Sequence, residues 1–521
     1  MRWTRAAVLA TSLTFVLAGC GAGPSDRPGV AVEHPVAPGG GAGTSQAPPA
    51  PPRAAVPKTD LAWSDCTRGT FDQLGLGAPP NGVILECAEY STPIDTAGTV
   101  IGNFRNGAVR ARLPQTPADA PPLVLTSGAD RASSATLAAL AAGPPNGILA
   151  TRPIVAVDRR GIGTSQPVDC LPVEVRQGFA DNAQFARLGD AAAQAEALVG
   201  FSQDGTIACR DFLQPYENTF DVGHAADDIE QLRKEWQVDH IDLLGTGNGA
   251  EVAVSYARKF GDHLSRLVLD SPTSLGADAT TVGEQRAQGA EAALTAFAQR
   301  CTALGCALGP DPRAAITDLV NRAAAGQLGD LSANAVTTAL TGFLGSPRAD
   351  QADRVPELAD ALAAAGRGNR GPLLALIQRQ SAAIANDGEF VNRCADVRQP
   401  PTPSRAVELA GDWAGKYPVF GRSAALALLT CAAWPVGTPP PAIADFALPV
   451  LVLDGAADPV AGGVGQAAVT GALAGAGART AVLRWQGWGH PVSARSGCGQ
   501  RAVVEYLNEA RLPQDGSACP A

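Results

Sequence analysis

The sequence predicts an α/β fold: a mostly parallel central sheet covered by helices on both faces, with a helical cap domain inserted late in the chain. Three observations predict it. Short apolar runs at 122–126, 154–158, 241–245, 266–270, 448–454 and 480–485 have the length of strands. Helix-like segments at 132–142, 225–236 and 250–260 alternate with them, and strands alternating with helices, apolar on both sides, build parallel sheets buried on both faces. The stretch from 275 to about 440 is rich in Ala and Leu and poor in β-branched runs, and the strand pattern returns only after it.

The elements follow in chain order. Arg2 and Arg5 precede an apolar run at 6–18, too short to span a bilayer, which needs ~20 apolar residues. Leu17-Ala18-Gly19-Cys20 then resembles the bacterial lipoprotein cleavage box. The expectation is a lipoprotein signal peptide at 1–19, lipid on the Cys20 thiol and the membrane as a partner through that lipid; a plain secretory signal is the alternative. Residues 20–60, dominated by Gly, Pro and Ala, read as a tether. The core opens at 61–273, with strands near 83–87 and 101–113 before the buried runs. The helix at 225–236 carries acids early and bases late, as a helix dipole favours. The cap occupies 274–440, and 441–521 completes the core with a last helix near 500–507.

Composition narrows the function. The 521 residues are 45% hydrophobic and 17% charged, enough for a sizeable core, and the net charge of -10 with no basic run argues against a nucleic-acid partner. With Cys20 set aside, ten of the 11 cysteines remain, an even number suited to an oxidising compartment. Pairing neighbours gives Cys66–Cys87, Cys170–Cys209, Cys301–Cys306, Cys394–Cys431 and Cys498–Cys519; sequence alone does not fix connectivity. Cys301 and Cys306 have no second Cys/His pair nearby, so no metal is expected, and no cofactor is required by the reading below.

The chemistry concentrates at Ile241-Asp242-Leu243-Leu244-Gly245-Thr246-Gly247-Asn248-Gly249-Ala250, a strand, a tight turn and the start of a helix. The turn fits two patterns. One is the nucleophile elbow G-x-S-x-G, matched except that Gly247 stands where the serine belongs. The other is the dinucleotide fingerprint, Gly245-x-Gly247-x-x-Ala250 with Asp270 at the end of the next strand. Partners far along the chain favour the elbow. Asp458 lies in a loop after one strand and His490 in a loop after the next, the order acid then base that an α/β-hydrolase requires. In such a site the carboxylate orients the imidazole, which takes the nucleophile's proton. The chain has five histidines, at 34, 224, 240, 263 and 490, so the search for a base is short. Asp454 competes with Asp458 but sits less far into the loop.

Further motifs make the match specific. Asp158-Arg159-Arg160-Gly161 with Ser165-Gln166-Pro167, Leu269-Asp270, Asn392-Arg393-Cys394-Ala395-Asp396 and Thr430-Cys431-Ala432-Ala433-Trp434-Pro435 resemble the secreted tripeptidyl-aminopeptidase-like serine peptidases of actinobacteria, which are α/β-hydrolases. The resemblance covers roughly 60–521. It implies removal of short peptides from a free N-terminus, with Asp458 and His490 as acid and base and the cap over the site. Two departures qualify this. Gly247 offers no side chain at the nucleophile position. The family's oxyanion loop, NPGGPG, is here Thr126-Ser127-Gly128-Ala129-Asp130-Arg131. The expectation is therefore a non-catalytic relative whose old active-site pocket binds peptide or another small ligand. A relocated nucleophile is the alternative, with Ser127 and Ser133 ahead of Thr246, Ser134 and Ser271. Dinucleotide binding is remote, because an exported chain meets little nicotinamide cofactor.

Overall fold

A computed structural model describes residues 52–521, apart from 81, 130, 144–146, 187–189, 347–351, 383–386 and 438–440. The signal peptide, Cys20 and most of the tether lie outside the described residues. The rest of the tether lies against the domain. The Pro52 carbonyl accepts from Arg266 at 2.9 Å, and the Lys58 N–H donates to the Trp236 carbonyl at 2.9 Å. Backbone groups that hold buried partners fix this stretch despite its Pro- and Ala-rich composition.

Among the described residues ten strands form one sheet. They are β1 (Ser64–Asp65), β2 (Ile84–Pro93), β3 (Asn103–Arg112), β4 (Leu123–Thr126), β5 (Ile154–Val157), β6 (Ile241–Thr246), β7 (Leu264–Asp270), β8 (Val450–Ala457), β9 (Thr480–Trp488) and β10 (Ser517–Cys519). Their order is β1-β2-β3-β5-β4-β6-β7-β8-β9-β10. The first three pairings are antiparallel and the other six parallel. Strands β4, β5, β6 and β7 are buried at every residue, which is why they read as unbroken apolar runs rather than alternating ones. The two end strands are too short to leave a sequence pattern.

Helices cover both faces. On one side Val222–Glu235, Gly249–Phe260 and Gln466–Gly475 pack over Val124, Leu243, Leu267 and Val452. On the other, Ser133–Ala142 and Gly497–Glu509 cover Leu125, Leu244, Val268 and Leu451. Between β7 and β8 the chain is helical, from Ala279–Leu304 to Gly421–Ala427, around a core that includes Phe297, Leu319, Leu340 and Phe343. The helix Ala191–Leu213, from the segment between β5 and β6, joins these helices: Leu198 packs with Leu409 and Trp413. Asp190 caps it by accepting from the Ala192 and Ala193 N–H groups. The sequence reading assigned nothing there.

Five disulfides, Cys66–Cys87, Cys170–Cys209, Cys301–Cys306, Cys394–Cys431 and Cys498–Cys519, close the short loops. Such bonds fit an oxidising, extracytoplasmic compartment. Among the described residues no helix is long and apolar enough to cross a membrane.

Candidate active site

The sheet order sets the site's position. From β4 the chain steps to β5 on one side and returns to β6 on the other, so the loops after β4 and β6 diverge. In open α/β sheets this switch point, at the carboxyl ends of the strands, is where ligands sit. The acid and histidine loops follow β8 and β9 at the same end.

Asp458 and His490 meet there. His490 Nδ1 lies 2.7 Å from Asp458 Oδ2, with both side chains buried. Asp458 Oδ1 accepts from the Val460 and Ala461 N–H groups at 2.8 and 2.9 Å, so the carboxylate also folds its own loop. The Gly489 N–H donates to the Ala457 carbonyl and joins the two loops. Burial works against the imidazolium, yet the Asp458 carboxylate outweighs it and raises the ring's pKa; Asp270 adds to the rise and Arg131 opposes it. Among the described residues, no hydrogen bond engages the second ring nitrogen. Among the described residues no hydrogen bond joins Asp454 to the histidine, and burial pushes its carboxyl up to about 6.

The turn after β6 is a sharp elbow. Gly247 has a φ of +56°, between the last residue of β6 and Asn248 at the start of the helix Gly249–Phe260. Its N–H donates to the Asp270 carbonyl at 3.0 Å. The loop after β4 lies directly on the elbow. Gly128 has a φ of +67°, and a Cβ there would stand 2.4 Å from Asn248 Oδ1 and 2.6 Å from the Gly249 nitrogen. The Ala129 N–H, on the loop whose amides face a reacting carbonyl in hydrolases of this fold, donates instead to Asn248 Oδ1 at 2.9 Å. Arg159 also reaches Asn248 Oδ1 at 3.4 Å and is held by Asp396 at 2.7 Å.

Two residues have roles that the sequence reading missed. Asp270, fully buried, takes the Val492 N–H on one oxygen at 2.9 Å and the Ser493 N–H on the other at 2.7 Å. It thereby fixes the backbone just beyond His490 while its own carbonyl holds the elbow. Burial raises its pKa, against those hydrogen bonds. Its carboxylate, the acid that the dinucleotide reading assigned to a ribose, is thus engaged by backbone N–H groups of this fold. Asn248 is the second, since its side chain occupies the backbone donor. The signal for Asp270 was its place at the end of a buried run; nothing in sequence marks the Asn248 contact.

The Asp158-Arg159-Arg160 segment is structural. Asp158 accepts from the Ser134 and Thr164 N–H groups, and Arg160 forms a two-point pair with Asp228 at 2.8 and 2.9 Å. The alternative hydroxyls are also engaged. Ser127 Oγ donates to Thr136 Oγ1 at 2.8 Å and lies 2.9 Å from Thr246 Oγ1; Ser133 Oγ accepts from the Ser127 N–H; Ser271 Oγ donates to Asp270. No hydrogen bond joins any of them to His490 among the described residues.

A cavity of about 310 Å³ opens between the acid loop and the helical segment, lined in part by Arg131, Arg286, Glu389, Arg393, Pro459 and Val460. A smaller one of about 130 Å³ reaches Ala129, Asn248 and Thr273 and shares Arg286 and Arg393. The helix Ala279–Leu304 presses on the acid loop, where a Cβ on Gly289 would stand 2.1 Å from the Asp458 carbonyl oxygen. Among the described residues no group of three or more His, Cys, Asp or Glu side chains gathers as a metal site.

Residues 417–519, the stretch with both loops, match the family described as TAP-like protein. No curated protein matches the chain. Among solved structures, a 2-hydroxy-6-oxo-6-phenylhexa-2,4-dienoate hydrolase from Rhodococcus sp. strain RHA1 aligns at 13% identity over 81% of this chain and 99% of its own, with a TM-score of 0.32. A carboxylesterase from Bacillus subtilis aligns at 13% identity over 86% and 98%, with a TM-score of 0.36.

Proposed function

We propose that this chain, a TAP-like protein on an α/β-hydrolase fold, is an exported, lipid-anchored and non-catalytic relative of the serine hydrolases that uses its old active-site cavity to hold a peptide or other small ligand. The observation that carries the reading is the elbow. Gly247 supplies no nucleophile for the Asp458–His490 pair to activate, and Asn248 occupies the Ala129 N–H on the neighbouring loop. Loss of the nucleophile alone lowers kcat on the order of 10⁶-fold, as in the subtilisin case from which that figure comes. An oxyanion donor satisfied by a side chain removes a further part of the machinery.

Export and anchoring rest on the signal-like segment, Cys20 and the five disulfides. Mass measurement of the mature protein is expected to give an N-terminus at a diacylglyceryl-modified Cys20; an unmodified N-terminus removes the anchor. For the missing chemistry, tripeptidyl and aminoacyl chromogenic substrates and short-chain esters are expected to turn over no faster than with a His490→Ala variant. Turnover that disappears in that variant would show a working site and overturn the reading.

A further inference from the structure

The 310 Å³ cavity has a wall of hydroxyls. Asn334, Thr337, Thr338 and Thr341, on one face of the helix Ala333–Leu344, line it, and Ser423 lines it from the helix Gly421–Ala427. A threonine in a helix can spend its hydroxyl on the carbonyl one turn back, as Thr295, Thr302, Thr317 and Thr470 do here. Thr337 likewise donates to the Asn334 carbonyl at 3.0 Å. Thr338 and Thr341 do not. Among the described residues no hydrogen bond engages their hydroxyls or that of Ser423, although Ser423 is only 8% exposed. Withdrawing a hydroxyl from water without a partner is unfavourable, and a hydroxyl can both donate and accept.

Asn182 fixes this wall. Its amide donates to Asn334 Oδ1 at 3.1 Å and to the Ser423 carbonyl at 2.9 Å, while the Asn334 amide donates to the Ala180 carbonyl at 2.9 Å. Asn182 and Ala183 hold φ of +53° and +56°, a left-handed backbone that residues other than glycine adopt only where their surroundings impose it. The two hydroxyl-bearing helices thus face the cavity in a set geometry.

The rest of the lining favours a neutral ligand. Glu389 lies 3.0 Å from Arg393, and Arg286 and Glu251, which line the adjoining cavity, are each engaged as well. Helices supply most of the wall, and their backbone groups are spent within them. Even the Val419 and Phe420 N–H groups, ahead of the short helix, donate to Glu291 Oε1. A peptide, which seeks backbone partners along its length, finds few here. Phe420, Ala424 and Val460 add the apolar surface that covers the C–H groups of a ring, and the volume lies at the lower end of the range for small-molecule sites.

We infer that the cavity takes a neutral, hydroxyl-rich ligand, a mono- or disaccharide, through the hydroxyls of Thr338, Thr341 and Ser423. This rests on the reading of the cavity as a ligand site without turnover, and it names the class of ligand held there.

The test titrates glucose, galactose, N-acetylglucosamine and maltose against the full mature protein by ligand-observed NMR, with the neutral peptide acetyl-Ala-Ala-Ala-amide as the rival. At least one saccharide is expected to bind about tenfold or more tightly than the peptide. Thr341→Val and Ser423→Ala, each removing one hydroxyl, are expected to weaken that saccharide about three- to tenfold, the scale of one hydrogen bond. Thr302→Val, whose hydroxyl is spent on the Ala298 carbonyl, is expected to leave it unchanged. Melting temperatures read alongside separate lost binding from lost folding. If no saccharide binds, if the peptide binds as well as the best of them, or if folded Thr341→Val and Ser423→Ala bind like the wild type, the saccharide assignment is overturned while the non-catalytic reading stands. If the saccharide binds through these hydroxyls but a serine labels with a fluorophosphonate in a His490-dependent way, the assignment stands and the non-catalytic reading falls.

Discussion

The two halves of the site differ in what their side chains do for the fold. The half after β8 and β9 keeps its catalytic-type residues. Asp458 folds its own loop through Val460 and Ala461, and Asp270 holds the backbone beyond His490. The half after β4 and β6 departs from the nucleophile-elbow pattern. There the elbow has no side chain at Gly247, and the neighbouring loop is fixed by backbone contact at Gly128 and by Asn248. The difference has a physical cause. Deleting Asp458 or Asp270 strands buried donors, whereas a serine exposed on an elbow can be lost with little effect on stability. On the proposed reading, residues with a second, structural task outlast the chemistry.

The largest effect expected from this comparison concerns restoration. Gly247→Ser alone leaves Ala129 engaged by Asn248, so it should react slowly with a fluorophosphonate. Adding Asn248→Ala frees that donor and should raise the labelling rate about 100-fold, the effect of one oxyanion-hole donor. Equal rates in the single and double variants would show that Asn248 is not what blocks the second half.

Stability offers the next contrast. Asp458→Ala or Asp270→Ala leaves two buried backbone donors unpaired and should cost about 3–5 kcal/mol in urea unfolding. Gly247→Ser places a side chain at a φ of +56° and should cost only about 1–2 kcal/mol. Comparable losses would remove the structural reason for the uneven retention.

A smaller effect separates the two acids of the β8 end. Burial holds the Asp454 carboxyl at about 6, against an ordinary value of 3.8. A raised carboxyl pKa means that stability is lost as pH climbs from the ordinary value through the folded one. Asp454→Asn should therefore stabilise the protein at pH 7, on the order of 2 kcal/mol, and should have no such effect below about pH 3, where the wild-type carboxyl is protonated in both states. A pH-independent difference would point to altered packing.

Much of this was legible in the sequence, for reasons that also mark where legibility ends. Strands β4 to β8 could be read because burial on both faces makes them nearly continuous apolar runs, and β9 because buried residues alternate along it with more exposed ones. Asp458 and His490 could be read because histidine is scarce and the two loops follow successive strands. The helix Ala191–Leu213 could not, because its many small residues leave a weak periodicity. The roles of Asp270 and Asn248 could not either. Each acts through hydrogen bonds to residues over a hundred positions away, and those partners are backbone N–H groups, which carry no residue-type signal.

The central claim is that the wild-type site holds an acid and a base but no nucleophile. Incubating the folded wild-type protein with a fluorophosphonate probe and mapping adducts by peptide mass spectrometry tests it most directly. The account predicts no adduct that depends on His490, with labelling no greater than in His490→Ala. A His490-dependent adduct on any serine, Ser127 and Ser133 included, would contradict the account and identify the nucleophile it denies.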